Sequence, residues 1–172
     1  MLVELANDCS LSHKGRGEKG KEVGWAFSPT NKRKAQMQKG TLDISALENA
    51  ETRLQEMLIR YKKESYDEAV RDSVIQRFEF TYSIVLKTLR KYFMERAFIL
   101  DNINQMSFNE MIRTASQLNL IKSNLEKWTI YREMRNMTSH TYDEVVALQV
   151  VNIIPDFSDE VAYLIASLKE SK

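Results

Sequence analysis

From Thr41 to Lys172 the chain contains no glycine. That absence constrains the fold more than any motif. Tight β-hairpins need residues at positive φ, which glycine takes without steric cost. A stretch of 132 residues without one has little use for hairpins and is read as all-helical. Hydrophobic residues make up 43% of the chain, enough for a real core, and 172 residues leave room for one domain and hardly two. The expected architecture is all-α, an up-and-down bundle of four to six helices over residues 41–172.

The first 40 residues have a different character. They hold all five glycines and the single cysteine, Cys9, with eight Lys/Arg against four Asp/Glu. The remainder carries 17 Lys/Arg against 20 Asp/Glu. The run Lys14-Gly15-Arg16-Gly17-Glu18-Lys19-Gly20-Lys21 is charged and aperiodic, so it cannot bury enough surface to offset its ordering entropy. Residues 1–40 are therefore expected to be a disordered basic extension. It is read as a native extension or as translation from an upstream start codon, with Met37 a natural start for the folded part. A basic arm touching nucleic acid is the alternative.

Several function classes are excluded early. A net charge of +1 does not suit a histone-like nucleic-acid binder or an acidic tail protein. Met1-Leu2-Val3 is followed by Glu4, which leaves no hydrophobic region of a secretory signal. Apolar runs such as Val145-Val146-Ala147-Leu148 are far too short to cross a bilayer. A cytoplasmic protein with no membrane partner is expected. One cysteine gives no disulfide framework, and His140 is the one histidine after residue 40, so no metal site is expected. There is no glycine-rich phosphate or dinucleotide loop, and no cofactor is expected.

Periodicity places the helices. Leu47, Leu54, Met57, Leu58 and Tyr61 predict a helix from about Asp43 to Lys63. Val74, Phe78, Tyr82, Val85, Leu89 and Tyr92 form an apolar seam on a second, longer helix from Glu68 to about Ala97. Phe80 and Ile84 give that helix a second apolar face, suited to a central position or to a dimer interface. Capping boxes at Ser107-Phe108-Asn109-Glu110, Ser123-Asn124-Leu125-Glu126 and Thr141-Tyr142-Asp143-Glu144 predict three further starts. Pro155 removes a helical hydrogen bond, which predicts a kink or short break near Ile154. Beyond it, Phe157, Val161, Leu164 and Leu168 share one face.

One segment carries chemistry. Between two predicted helices, Asn136, Thr138, Ser139 and Thr141 favour caps and turns, so the helix is expected to end or distort after Arg135. On an unbroken helix Arg135 and His140 would lie roughly 140° apart, at about 100° per residue. A break lets them converge. Arg135 offers a planar, permanently charged fork for a phosphate. His140 is suited to proton transfer near neutrality. A helix start at Tyr142-Asp143 adds backbone donors for an anion. Metal-free RNA cleavage needs a base for the 2′-hydroxyl and an acid for the leaving oxygen. The one histidine after residue 40 supplies half of that pair, and a two-fold dimer would supply both. The structural alternative is that His140 packs or caps the turn while Arg135 pairs with a carboxylate.

Arg135-x4-His140-x-Tyr142, with Asn136 after the arginine, resembles the signature of HEPN-domain proteins, and most closely their HepT-like branch of nucleotidyltransferase substrate-binding proteins. The stretches Gln76-Arg77-Phe78-Glu79-Phe80-Thr81-Tyr82, Leu86-Lys87-Thr88-Leu89 and Arg135 to Glu144 carry the likeness. It covers about residues 42–170; the first 40 depart from the family pattern. The resemblance implies a helical bundle that dimerises with its paired motifs in a cleft. It implies a toxin of a toxin–antitoxin pair, acting as a metal-independent RNase, whose antitoxin is a small nucleotidyltransferase. Arg135 would hold the scissile phosphate, His140 would be the acid/base, Asn136 would support the site, and Tyr142 would be the adenylylated hydroxyl. Arg113, Lys122, Lys127, Arg132 and Arg135 are expected to form a local basic cleft for the RNA. Two alternatives remain at this point, a non-catalytic substrate-binding subunit of a nucleotidyltransferase and a helical scaffold without chemistry.

Overall fold

The computed structural model describes residues 42–64, 67–96, 106–140 and 142–171. The extension expected at residues 1–40 lies outside them, as does Ala97. The described residues form an all-α bundle. Its helices are α1 (Ser45–Lys63), α2 (Glu68–Glu95), α3 (Phe108–Gln117), α4 (Leu125–Met137) and α5 (Glu144–Glu170), with a 3-10 turn at Thr138–His140 between the last two. Helix α1 packs on α2 and α5, and α5 also packs on α2 and α4.

The seam on α2 is the spine of the core. Val74, Phe78, Tyr82, Val85, Leu89 and Tyr92 are all buried, as their spacing requires. Of the second face, Phe80 is 53% exposed and Ile84 is half-buried. Beneath α4 the core is aromatic. Phe157 of α5 meets Phe78 at 5.0 Å and Tyr131 at 5.2 Å between ring centroids, both edge-on. Tyr82 and Trp128 lie 6.1 and 6.2 Å from the same ring. Such edge-to-face pairs stabilise beyond their burial, because a positive ring edge meets a negative face.

Helix ends show where local signals held. Ser107 caps α3 with the full reciprocal box, its hydroxyl accepting from the Glu110 N–H while the Glu110 carboxylate accepts from the Ser107 N–H. The other end of α3 needs a left-handed residue, and no glycine is at hand. Asn119 takes that place with φ 54°, a role asparagine tolerates because its short polar side chain bonds locally. The Leu120 N–H then closes the turn on the Ala115 carbonyl at 2.9 Å, and the Leu120 side chain is buried.

Three expectations are corrected. Pro155 does not break the last helix, which runs unbroken from Glu144 to Glu170. Buried side chains on both sides of it, Val150, Val151 and Ile154 before and Phe157, Val161 and Leu164 after, anchor one continuous stripe. One missing hydrogen bond on the exposed side does not outweigh that packing. The box at Ser123 is not used: Asn124 is the cap of α4, accepting from the Lys127 N–H at 3.1 Å. Asp143, rather than Thr141, caps α5.

Ser123 is instead drawn to Glu160 of α5, a carboxylate only 2% exposed. Glu160 accepts from the Lys122 N–H at 2.8 Å, the Ser123 N–H at 2.9 Å and the Ser123 hydroxyl at 2.7 Å. A buried carboxylate persists when its lone pairs are met in this way. It ties the start of α4 to the middle of α5. Glu160→Ala would strand two partly buried N–H groups, and a loss of about 2 kcal/mol is expected in urea unfolding.

Candidate functional site

The face of α4 explains the site. Trp128, Arg132 and Arg135 fall within about 60° of one another at ~100° per residue. The first belongs to the core, and the next two occupy the same stripe where the core gives way to solvent. Trp128 is fully buried, whereas Arg132 and Arg135 are exposed. They face an open pocket of about 320 Å³ that Asn136 completes on α4. Tyr82, Ser83 and Leu86 of α2 and Phe108 at the start of α3 form its other walls.

Electrostatically the pocket is one-sided. The Arg132 guanidinium lies over the Phe108 ring, 4.6 Å from its centroid. Among the described residues neither Arg132 nor Arg135 has a carboxylate at ion-pair distance. Tyr82 is 4% exposed, and its hydroxyl is buried with no hydrogen-bond partner among the described residues. Burial pushes that phenol up to about 12, and the nearby Arg132 and Arg135 charges only partly oppose the rise. It keeps its proton at neutral pH.

The turn after α4 carries the other motif residues. Helix α4 ends at Met137, two residues later than the expected distortion, and passes into the 3-10 turn. The Thr138 hydroxyl sits between the Arg135 carbonyl, at 2.7 Å, and the Glu79 carboxylate of α2. This contact fastens the turn to α2. His140 ends the turn and is exposed. Tyr142 is 88% exposed, and its ring lies edge-on to His140 with centroids 6.2 Å apart.

The four predicted residues thus fall into two adjacent groups. Arg135 and Asn136 line the pocket, whereas His140 and Tyr142 share the turn beyond it. Of the five cations expected to form a basic cleft, two line the pocket. Lys127 instead pairs with Asp156 at 2.6 Å, where burial pushes the Asp156 carboxyl up but hydrogen bonds from Lys127 and Tyr131 outweigh it and lower it. The helix start at α5 is also not free to meet an anion as expected. The Asp143 carboxylate accepts from the Val145 N–H at 2.9 Å and the Val146 N–H at 3.4 Å. Sequence reasoning passed over Tyr82 and Thr138 as site residues and placed Arg132 only in a general cluster. The 128, 132, 135 spacing is the signal that finds Arg132.

Among the described residues no three His, Cys, Asp or Glu side chains are grouped to hold a metal ion, and no helix is long and apolar enough to cross a membrane. Comparison with known proteins places residues 42–170 in agreement with the family described as nucleotidyltransferase substrate binding protein like. A Haemophilus influenzae protein named probable ribonuclease HepT is 38% identical over 96 residues, which is 56% of this chain and 65% of that protein, just under two thirds of its length. A solved structure from the same organism, described as the fold of a substrate binding domain of a nucleotidyltransferase, aligns with a TM-score of 0.69. It is 30% identical, and the alignment covers 74% of this chain and 99% of that one.

Proposed function

The chain belongs to the nucleotidyltransferase substrate binding protein like family, and on that premise we propose that it is a HepT-like toxin of a toxin–antitoxin pair. In this reading it is a metal-independent RNase that acts as a dimer, and a partner nucleotidyltransferase neutralises it by adenylylating Tyr142. The observation that carries the reading is the pairing of an unneutralised Arg135 on an open pocket with an exposed His140 and Tyr142 on the adjoining turn.

The chemistry follows from the residue types. Arg135 holds the scissile phosphate with two parallel N–H donors, and Asn136 adds an amide beside it. An imidazole takes the 2′-hydroxyl proton, the 2′-oxygen attacks phosphorus, and the 5′-oxygen leaves with a proton from a second imidazole. The products are a 2′,3′-cyclic phosphate and a 5′-hydroxyl. The second imidazole is His140 of a second copy, since the folded part holds one histidine. Control acts on Tyr142: its phenol oxygen attacks the α-phosphorus of ATP, pyrophosphate leaves, and the phenol proton passes to solvent. The attached adenylate places negative charge two residues from His140, where it blocks the approach of RNA.

The exposure of Tyr142 serves a second reading equally well, in which the chain presents this hydroxyl to the transferase and cuts no RNA. Purified protein is to be incubated with labelled RNA in EDTA, before and after treatment with a partner nucleotidyltransferase and ATP. Cleavage with cyclic phosphate ends, lost on modification, is expected. Mass gain at Tyr142 with no cleavage by the unmodified protein selects the second reading. Tyr142→Phe is expected to gain no adenylate by mass spectrometry and to arrest growth even when the transferase is co-expressed.

A further inference from the structure

We propose that the pocket between α2, the start of α3 and α4 is a subsite for one nucleotide, with Arg132 and Arg135 on its phosphate and the Tyr82 hydroxyl on its base. The identity of that nucleotide as the one joined to the scissile phosphate rests on the RNase reading; the subsite itself does not.

Three independent observations converge on it. The first is charge. Two guanidiniums three residues apart on one helix repel each other mildly, and no carboxylate among the described residues compensates them. Arg132 is steadied by the Phe108 ring instead, which leaves its N–H fork free for an anion. The second is the buried phenol. A buried hydroxyl is ordinarily hydrogen-bonded, yet that of Tyr82 has no partner among the described residues, and Tyr82 lines this pocket. A ligand acceptor that enters far enough satisfies it. The third is shape. Leu86 and Phe108 are the apolar part of the wall, and about 320 Å³ falls at the small end of ligand pockets, roughly 300–1,000 Å³. Inorganic phosphate alone would leave the phenol and the apolar wall unused. A nucleotide uses all three, with its phosphate at the rim, its base against Leu86 and Phe108, and a base nitrogen or carbonyl accepting from Tyr82.

The phenol gives the test its sharpest form. If Tyr82 were retained for packing alone, Tyr82→Phe would leave binding untouched. If its hydroxyl waits for a ligand, Tyr82→Phe weakens binding while folding is unharmed or improved, because the variant loses an unmet polar group and keeps the ring. The full chain and its Tyr82→Phe and Arg132→Gln variants are to be titrated with AMP, UMP, inorganic phosphate and a 2′-O-methyl oligoribonucleotide that cannot be cut. NMR shifts and fluorescence anisotropy report binding, and thermal melts are run in parallel. Expected are about 5–10-fold weaker nucleotide binding for Tyr82→Phe at an unlowered melting temperature, and about 10-fold for Arg132→Gln, with a salt dependence of oligonucleotide binding shallower by roughly one charge.

Binding of the oligonucleotide in preference to the monophosphates identifies RNA as the source of the nucleotide, and the reverse identifies a free nucleotide. Either supports the subsite. Wild-type affinity in both variants overturns it, as does inorganic phosphate competing as well as AMP. Weakened binding in the variants of a protein that cleaves no RNA leaves the subsite standing and removes the RNase reading alone.

Discussion

Replacing His140 by alanine is expected to lower RNA cleavage about 10²–10⁴-fold, the contribution typical of a positioned acid–base group, without lowering the melting temperature. The second half of that expectation follows from placement. His140 is exposed at the end of a 3-10 turn, and its ring touches Tyr142 rather than the core. The turn is held by other groups: Thr138 fastens it to α2, and Asp143 caps the helix that follows. Initial rates on a labelled RNA in EDTA, with a thermal melt of each protein, make the comparison. Growth arrest on expression should disappear with the same substitution. A His140→Ala protein that cuts RNA at the wild-type rate ends the assignment. A mixed dimer of wild-type and His140→Ala chains carries the question further. If the base and the acid come from different copies, it lacks one of the two groups and should cleave well below about half the wild-type rate.

The fold was legible where a short-range pattern and a core requirement coincide. The α2 seam from Val74 to Tyr92 could be read because one apolar stripe at helical spacing has one place to go. The Ser107 box could be read because both of its hydrogen bonds close within four residues. The box at Ser123 has the same lettering and failed, because its serine and N–H groups are claimed by Glu160, 37 residues away. Pro155 misled for a related reason. The sequence displays the one hydrogen bond that Pro155 removes, but not the buried side chains that anchor the helix on either side of it. At the candidate site, motif spacing singles out Arg135, Asn136, His140 and Tyr142, and the turn-favouring Asn136, Thr138 and Ser139 predict that α4 does not continue through His140, as its end at Met137 shows. The pocket itself was not visible. It depends on how α2 crosses α4, and nothing in the sequence near Tyr82 signals that this residue lines one pocket with two arginines.

Removing the ring that carries this crossing is expected to have the largest effect on stability. Phe157→Ala should cost about 3–5 kcal/mol. A small domain has roughly 5–15 kcal/mol in all, so the variant is expected to melt roughly 10–20 °C lower. Phe157 is fully buried and lies edge-on to Phe78 and Tyr131, with Tyr82 and Trp128 close by. Those four rings come from α2 and α4, the two helices that supply most of the pocket wall. Their removed neighbour leaves a cavity that backbone on three helices cannot close together. Phe157→Leu keeps most of the volume and should cost only about 1 kcal/mol. Urea unfolding of both variants gives the energies, and a Phe157→Ala protein that melts within about 3 °C of the wild type would show that the aromatic cluster does not hold the bundle. The site should feel the cavity through Tyr82, which lines the pocket, and through Trp128, which anchors the α4 stripe bearing Arg132 and Arg135. Nucleotide binding measured well below the variant's melting point should therefore weaken in Phe157→Ala and recover in Phe157→Leu, whereas His140→Ala separates in the opposite sense, losing cleavage with its stability intact.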